Sequence, residues 1–224
     1  ISSSLPSLRG SYEIRNFAFR FAYKPMYAKK SLGQHFLRDE EALQRIADAA
    51  RLAPADTVLE VGPGDGALTA LLLERAGKVV AVEKDARLIS LLQEKFAPDI
   101  VAGKLVLIHQ DILDFSPNAY NLTPNAYKVV ANLPYYITGQ FLRRFLQSDT
   151  QPSTMVLLMQ KEVARRIVGG PASLKLRRAR KESILSLSVK CYAAPQYIGT
   201  LKAGAFSPPP KVDSAILAIE HLSK

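Results

Sequence analysis

Asn132, Pro134 and Tyr135 sit at the end of the run Val130-Ala131-Asn132-Leu133-Pro134-Tyr135-Tyr136, and their types and spacing suit chemistry on an amine. A primary amide followed by a proline-fixed turn can aim the Asn132 side-chain oxygen and a backbone carbonyl of Leu133 or Pro134 at one point, where an exocyclic amino group would donate. The Tyr135 ring offers a face on which a flat base can stack and which attracts a nearby cation. A strand end with a Pro turn and two packing tyrosines fits these residues equally well. The surrounding elements decide between the two.

A second constellation lies at Glu60-Val61-Gly62-Pro63-Gly64-Asp65-Gly66-Ala67. Glycines there let the backbone turn tightly and approach a ligand, with a helix N-terminus behind them. Gly62-x-Gly64-x-x-Ala67 meets the loose dinucleotide pattern, which is weak by itself. Glu83 follows at the spacing of a carboxylate that accepts both hydroxyl protons of a ribose. Together they specify an adenosine-bearing cofactor, either NAD or S-adenosylmethionine. Asp111, after the next apolar run, can meet an adenine amino group, and Asn132 falls beside the reactive end. That arrangement suits a sulfonium methyl donor. A dehydrogenase needs an acid/base residue, and the histidines serve poorly: His109 is in an apolar run, His221 is near the end, and His35 reads as a loop hydrogen-bonder.

The elements that position these residues alternate regularly. Apolar runs at 57–61, 78–82, 105–108, 127–131 and 154–159 are separated by helix-compatible segments at 67–76, 86–96, 138–147 and 160–168. Apolar runs without polar alternation are strands buried on both faces, so the expected fold is α/β, mostly parallel, with helices on each side. A helix near 182–190 and late strands at 196–202 and 214–220, separated by Pro208-Pro209-Pro210, complete it, the two strands pairing antiparallel. Ahead of the alternation, Asp39 reads as an N-cap for an amphipathic helix carrying Leu43, Ile46, Ala47 and Ala50 and ending before Pro54.

The chain has 224 residues, 48% of them hydrophobic, enough to bury one core. Thirty Lys and Arg against 20 Asp and Glu give a net charge of +10, which suits a polyanionic partner, nucleic acid before membrane surface. The single cysteine, Cys191, excludes an intramolecular disulfide and a Cys-based metal site, and is expected as core filler in a reducing compartment. No apolar run approaches the ~20 residues of a membrane span. The expected setting is cytoplasmic, without membrane or metal. Residues 1–28, Ser-rich and basic, read as a mobile arm, a targeting remnant or an RNA-gripping extension, the arm being favoured. Ile1 in place of Met marks a processed, trimmed or partial chain.

Five motifs in order carry a specific resemblance: Ser31-Leu32-Gly33-Gln34-His35-Phe36-Leu37, Glu60-Val61-Gly62-Pro63-Gly64, Asn132-Leu133-Pro134-Tyr135, Gln160-Lys161-Glu162-Val163-Ala164, and Ala205-Phe206-Ser207-Pro208-Pro209-Pro210-Lys211-Val212-Asp213-Ser214. The chain resembles the ribosomal RNA adenine dimethyltransferases, closest to the bacterial KsgA type. The resemblance implies a class I, Rossmann-like S-adenosylmethionine-dependent methyltransferase. It also implies dimethylation of the exocyclic amines of two adjacent adenosines near the 3′ end of small-subunit ribosomal RNA, in a pre-30S-type particle, by a monomer. The related erythromycin-resistance methylases, which modify a large-subunit adenosine, are the alternative, as is a non-catalytic RNA-binding assembly factor of the same fold.

Carried over by motif, cofactor contacts fall on His35, Leu37, Gly62, Gly64, Glu83, Asp111 and Asn132. The catalytic group falls on Asn132, Leu133, Pro134 and Tyr135, and Phe206 joins Tyr135 in sandwiching the target base. Three departures stand out. Tyr136 occupies a place where the family usually has Asn. After the Gln-Lys-Glu helix the chain carries a different, basic stretch, in which Lys175, Arg177, Arg178, Arg180 and Lys181 are candidate RNA contacts. The family's small helical C-terminal domain has no counterpart up to Lys224, so residues 29–224 are expected to be the catalytic domain alone.

Overall fold

The computed structural model describes residues 28–29, 32–169, 183–220 and 222. Residues 1–27 of the arm expected at 1–28, Lys30 and the basic stretch at 175–181 lie outside them.

Short strand β1 (Phe36–Leu37) leads into α1 (Glu40–Ala49). The Asp39 carboxylate accepts the Ala42 N–H at 3.0 Å, as an N-cap should, and Leu43, Ile46, Ala47 and Ala50 are all buried. There follow β2 (Thr57–Val61), α2 (Ala67–Arg75), β3 (Lys78–Glu83), α3 (Ala86–Lys95), a short α4 (Ala97–Val101), β4 (Leu105–His109), β5 (Tyr127–Asn132), α5 (Thr138–Leu146), β6 (Thr154–Gln160) and α6 (Lys161–Val168). The chain is described again from α7 (Ile184–Tyr192) through β7 (Ala194–Leu201), β8 (Phe206–Ser207) and β9 (Ser214–Glu220). Every expected strand and helix is present within a few residues of its expected ends.

The seven-stranded sheet runs β4-β3-β2-β5-β6-β9-β7. Its first five strands are parallel, β9 is antiparallel to β6, and β7 is antiparallel to β9. The late pair is therefore antiparallel as expected. Sequence did not reveal that β9 inserts between β6 and β7, which depends on a seven-pair register from Thr154 opposite Glu220 to Gln160 opposite Ser214.

Alternate residues of the central strands enter opposite cores. Leu59, Val61, Val129 and Ala131 pack with Phe141, Leu142 and Phe145 of α5, Ala164 and Ile167 of α6, and Val189 of α7. Val58, Val79 and Val130 pack with Ile46 of α1, Leu72 and Leu73 of α2, and Leu92 of α3. Burial on both faces explains why these strands read as continuous apolar runs. Cys191 corrects an expectation: it is exposed rather than core filler, because α7 buries the face bearing Ser186 and Val189 and turns Cys191 away.

Strand order reverses between β2 and β5, since the chain steps outward from β2 to β4 and then returns to the other side of β2. The carboxyl ends of strands at such a switch point leave a crevice. Gly62, Glu83, Asp111 and Asn132 stand at the ends of β2, β3, β4 and β5. A separate two-stranded piece pairs β1 with β8, Phe36 opposite Ser207 and Leu37 opposite Phe206, and holds the first loop beside the Pro-rich segment.

At the opposite edge, the buried Tyr127 hydroxyl donates to the Thr150 carbonyl at 2.6 Å. Tyr127→Phe should destabilise the fold by about 1–2 kcal/mol, since it leaves that carbonyl without its donor. A urea melt with an unchanged slope and a lowered midpoint would show this; an unmoved midpoint would mean that water replaces the hydroxyl.

Candidate active site

One cleft at the switch point collects most of the residues singled out above. Its empty space, counting the part open to solvent, is about 900 Å³. His35, Gly62, Gly64, Glu83, Asp111, Asn132, Leu133, Pro134, Tyr135 and Phe206 all line it. Leu37 does not: its side chain is buried in the core, and its place opposite Phe206 makes it an anchor for the strand pair. Lys175, Arg177, Arg178, Arg180 and Lys181 lie outside the described residues.

Gly62 turns the chain off β2 at φ 69°, its N–H on the Val82 carbonyl at 3.0 Å. A Cβ there would come within 3.3 Å of the Asn132 carbonyl oxygen, so a side chain would fill the gap between the β2 and β5 ends. Gly64, at φ 61°, leaves room instead for the Phe36 ring, which a Cβ would meet at 3.2 Å.

Glu83 is buried and fixed by backbone donors: Oε2 accepts the Gly64 N–H at 3.3 Å and Oε1 the Asp85 N–H at 2.8 Å. Burial pushes its pKa above the ordinary carboxylate value, and these N–H groups oppose part of the rise. Asp111 behaves oppositely. Burial alone would raise it, but the Lys84 ammonium at 2.6 Å and the Leu113 N–H at 3.0 Å bring it below its usual value.

The residues from Asn132 to Tyr135 are held from behind. Asn132 donates through Nδ2 to the His35 carbonyl at 3.3 Å, which leaves Oδ1 as the acceptor of the amide. Leu133 is buried, with its N–H on the Leu158 carbonyl at 3.3 Å. The Pro134 carbonyl accepts the Ile137 N–H at 3.2 Å. Tyr135 shares a hydrogen bond of 2.8 Å with the Ser214 hydroxyl at the start of β9. The His35 ring lies nearly parallel to Tyr135, 23° between planes and 6.3 Å between centroids, with Nδ1 hydrogen-bonded to the Pro208 carbonyl at 2.7 Å. Phe206 is only 5% exposed, so a narrow part of its ring reaches the cleft.

Sequence reasoning missed the parts that hold the loop over the cleft. Gln34 donates to Asp85 at 2.9 Å and accepts the Lys29 N–H at 2.7 Å, while the Lys29 ammonium stands 4.0 Å from Asp85. The Arg87 guanidinium beside Asp85 holds that carboxyl well below the usual range. Gln34 and Ser214 lie inside the quoted motifs and could have been weighed; Lys84 and Asp85 carry no local signal.

The family model for ribosomal RNA adenine dimethylases matches residues 26–223. The chain belongs to that family. It is 49% identical over 192 residues to a ribosomal RNA small subunit methyltransferase A of Dehalococcoides mccartyi strain CBDB1, covering 86% of this chain and 62% of the relative. A protein of the same description from Clostridium botulinum strain Okra is 35% identical over 94% of this chain and 71% of its own length. Among solved structures, the 23S rRNA methyltransferase ErmE matches with a TM-score of 0.72 at 31% identity, covering 84% of this chain and 70% of ErmE. A dimethyladenosine transferase from Plasmodium falciparum gives 0.69 at 28%, covering 83% and 63%. The chain thus spans 62% of the length of the Dehalococcoides relative. These solved methyltransferases share the Rossmann-like architecture described above, so the expected fold holds.

Beneath the glycine loop of this dimethylase-family domain lies a carboxyl that the cleft does not use. Glu60, on β2, is 1% exposed and neither oxygen has a full hydrogen-bond partner among the described residues. Burial pushes its pKa up to about 8; the poorly aligned Thr69 hydroxyl opposes the rise, the Glu83 charge adds to it and Lys95 reduces it. With the folded value above the unfolded one, the unfolded state loses its proton first. Stability is therefore lost as pH climbs from about 4.5 towards 8. Glu60→Gln should remove this dependence and raise stability at pH 8 by about 1–3 kcal/mol. Denaturant melts of both proteins across that window decide it, and parallel pH profiles would show that Glu60 is not the group responsible.

Proposed function

We propose that the chain is the catalytic domain of an S-adenosylmethionine-dependent enzyme that dimethylates the N6 amines of two adjacent adenosines near the 3′ end of small-subunit ribosomal RNA. The observation carrying this reading is that the ribose-spaced carboxylate Glu83 and the amine acceptor Asn132 line one cleft. The names of the Dehalococcoides and Clostridium relatives support the small-subunit target. A monomer working in the cytoplasm on a pre-30S-type particle completes it, with the basic stretch Lys175 to Lys181 gripping phosphates. The likeness to ErmE favours, as a second reading, a single large-subunit adenosine.

The cleft fits the cofactor. Glu83, already fixed through its backbone donors, keeps lone pairs for ribose hydroxyls. Gly62 leaves open the cradle that a Cβ would fill, and Asp111 with Ile112 takes the adenine end. When bound, S-adenosylmethionine supplies an electrophilic methyl group whose leaving group is a neutral thioether.

An adenine amino nitrogen is a poor nucleophile because its lone pair is delocalised into the ring. Asn132 Oδ1 accepts one of its hydrogens. The second acceptor is a backbone carbonyl, that of Leu133 or that of Pro134, which keeps one lone pair after accepting the Ile137 N–H. Holding both hydrogens biases the nitrogen towards a tetrahedral form, so positioning and electrostatics do most of the catalysis. Tyr135, fixed by Ser214, stacks on the base and favours its developing positive charge.

Glu83→Ala should weaken cofactor binding by about 2–4 kcal/mol, roughly 30- to 1,000-fold, in a folded protein. Calorimetry measures it, and unchanged affinity would sink the ribose assignment. With labelled S-adenosylmethionine, the full-length protein should methylate paired adenosines in small subunits lacking the modification, mapped as reverse-transcription stops, and Asn132→Ala should cost on the order of 10²-fold in rate. A single large-subunit stop would favour the resistance-methylase reading. Cofactor binding without any RNA methylation would defeat both.

A further inference from the structure

Tyr135 and Tyr136 are consecutive but have different partners. Tyr135 is held by Ser214 on β9, whereas Tyr136 lines the cleft together with Lys84, Asp111 and Ile112, which follow β3 and β4 on the other side of β5. Lys84 is itself paired with Asp111 at 2.6 Å. Tyr136 is 65% exposed, and of the large exposed hydrophobic side chains among the described residues it is the one that lines the cleft.

Its ring rests on the first loop. A Cβ added to Gly33 would lie 3.5 Å from Tyr136 Cε1 and 3.7 Å from Pro134 Cβ, and Gly33 itself has φ 63°. A glycine there gives the loop its left-handed turn and gives the ring a flat seat. The loop is in turn fastened to the β3–α3 connection through Gln34 and Asp85. Tyr136 thus lies against the first loop, in the cleft that Lys84, Asp111 and Ile112 also line.

We propose that Tyr136 is a specificity-determining residue that closes over the adenine of the cofactor, with Gly33 as its seat, while of the two tyrosines Tyr135 serves the target base. This rests on the cofactor reading above. Where Asn follows the tyrosine, a polar side chain stands in this place; here a ring covers the nucleoside and links its binding to the position of the first loop.

The test is calorimetric titration with S-adenosylhomocysteine and, separately, with a single-stranded oligoribonucleotide bearing two adjacent adenosines, on the full-length protein and on Tyr136→Ala, Tyr136→Leu and Tyr136→Phe. Loss of one stacking face should weaken S-adenosylhomocysteine about tenfold in Tyr136→Ala. Tyr136→Leu should fall between, Tyr136→Phe should stay within about twofold of wild type, and oligoribonucleotide affinity should not change. In turnover, KM for S-adenosylmethionine should rise while kcat is kept. If wild type binds S-adenosylhomocysteine and Tyr136→Ala binds it equally well, the proposal falls and the functional reading stands. Weakened oligoribonucleotide binding in its place would assign the ring to the RNA. A wild-type protein that does not bind S-adenosylhomocysteine would overturn both.

Discussion

Parallel pairing of β2 with β5, Val61 opposite Ala131, is the constraint on which the site depends. That register sets the first residue beyond β2 against the last residue of β5, with so little space that a Cβ on Gly62 would crowd the Asn132 carbonyl. A shift by one residue would invert every buried side chain of these strands between the two cores. The two apolar cores therefore hold the glycine loop and Asn132 side by side. Precision at the cleft comes from packing well away from it.

Around that frame the polar groups are arranged in two tiers. Glu83 and Asp111, at adjacent strand ends, are driven in opposite directions, Glu83 by burial and Asp111 by Lys84. Behind the Asn132–Tyr135 segment, His35, Ser214 and Leu158 each take one group of Asn132, Tyr135 or Leu133 and so fix their direction. A residue already bound from behind loses little freedom when a ligand arrives. Glu60 is the exception: a carboxyl under the loop that burial keeps from ionising readily.

The first loop adds a wall that the sheet alone cannot supply. The β1–β8 pair, the His35–Pro208 hydrogen bond and the Gln34–Asp85 bond join three stretches of chain far apart in sequence over one opening. The enzyme chemistry proposed here needs water kept from the methyl donor and a base held in place, and this wall is suited to both.

Period and spacing in the sequence determined much of this protein. Uninterrupted apolar runs such as 155–159 fit strands covered on both faces, Asp39 fits a cap for the helix behind it, and Glu83 and Asn132 could be placed at strand ends because the alternation counts them there. Local chemistry acts over a few residues, and these features need nothing more. What tertiary structure decided is everything that depends on which distant segments meet: β9 entering between β6 and β7, Leu37 turning into the core while His35 faces the cleft, Cys191 left exposed, and two adjacent tyrosines held by different partners, Tyr135 by Ser214 and Tyr136 against Gly33. Those outcomes are set by register and by contacts such as Tyr135 with Ser214, 79 residues apart, for which no pattern within a single segment carries a signal.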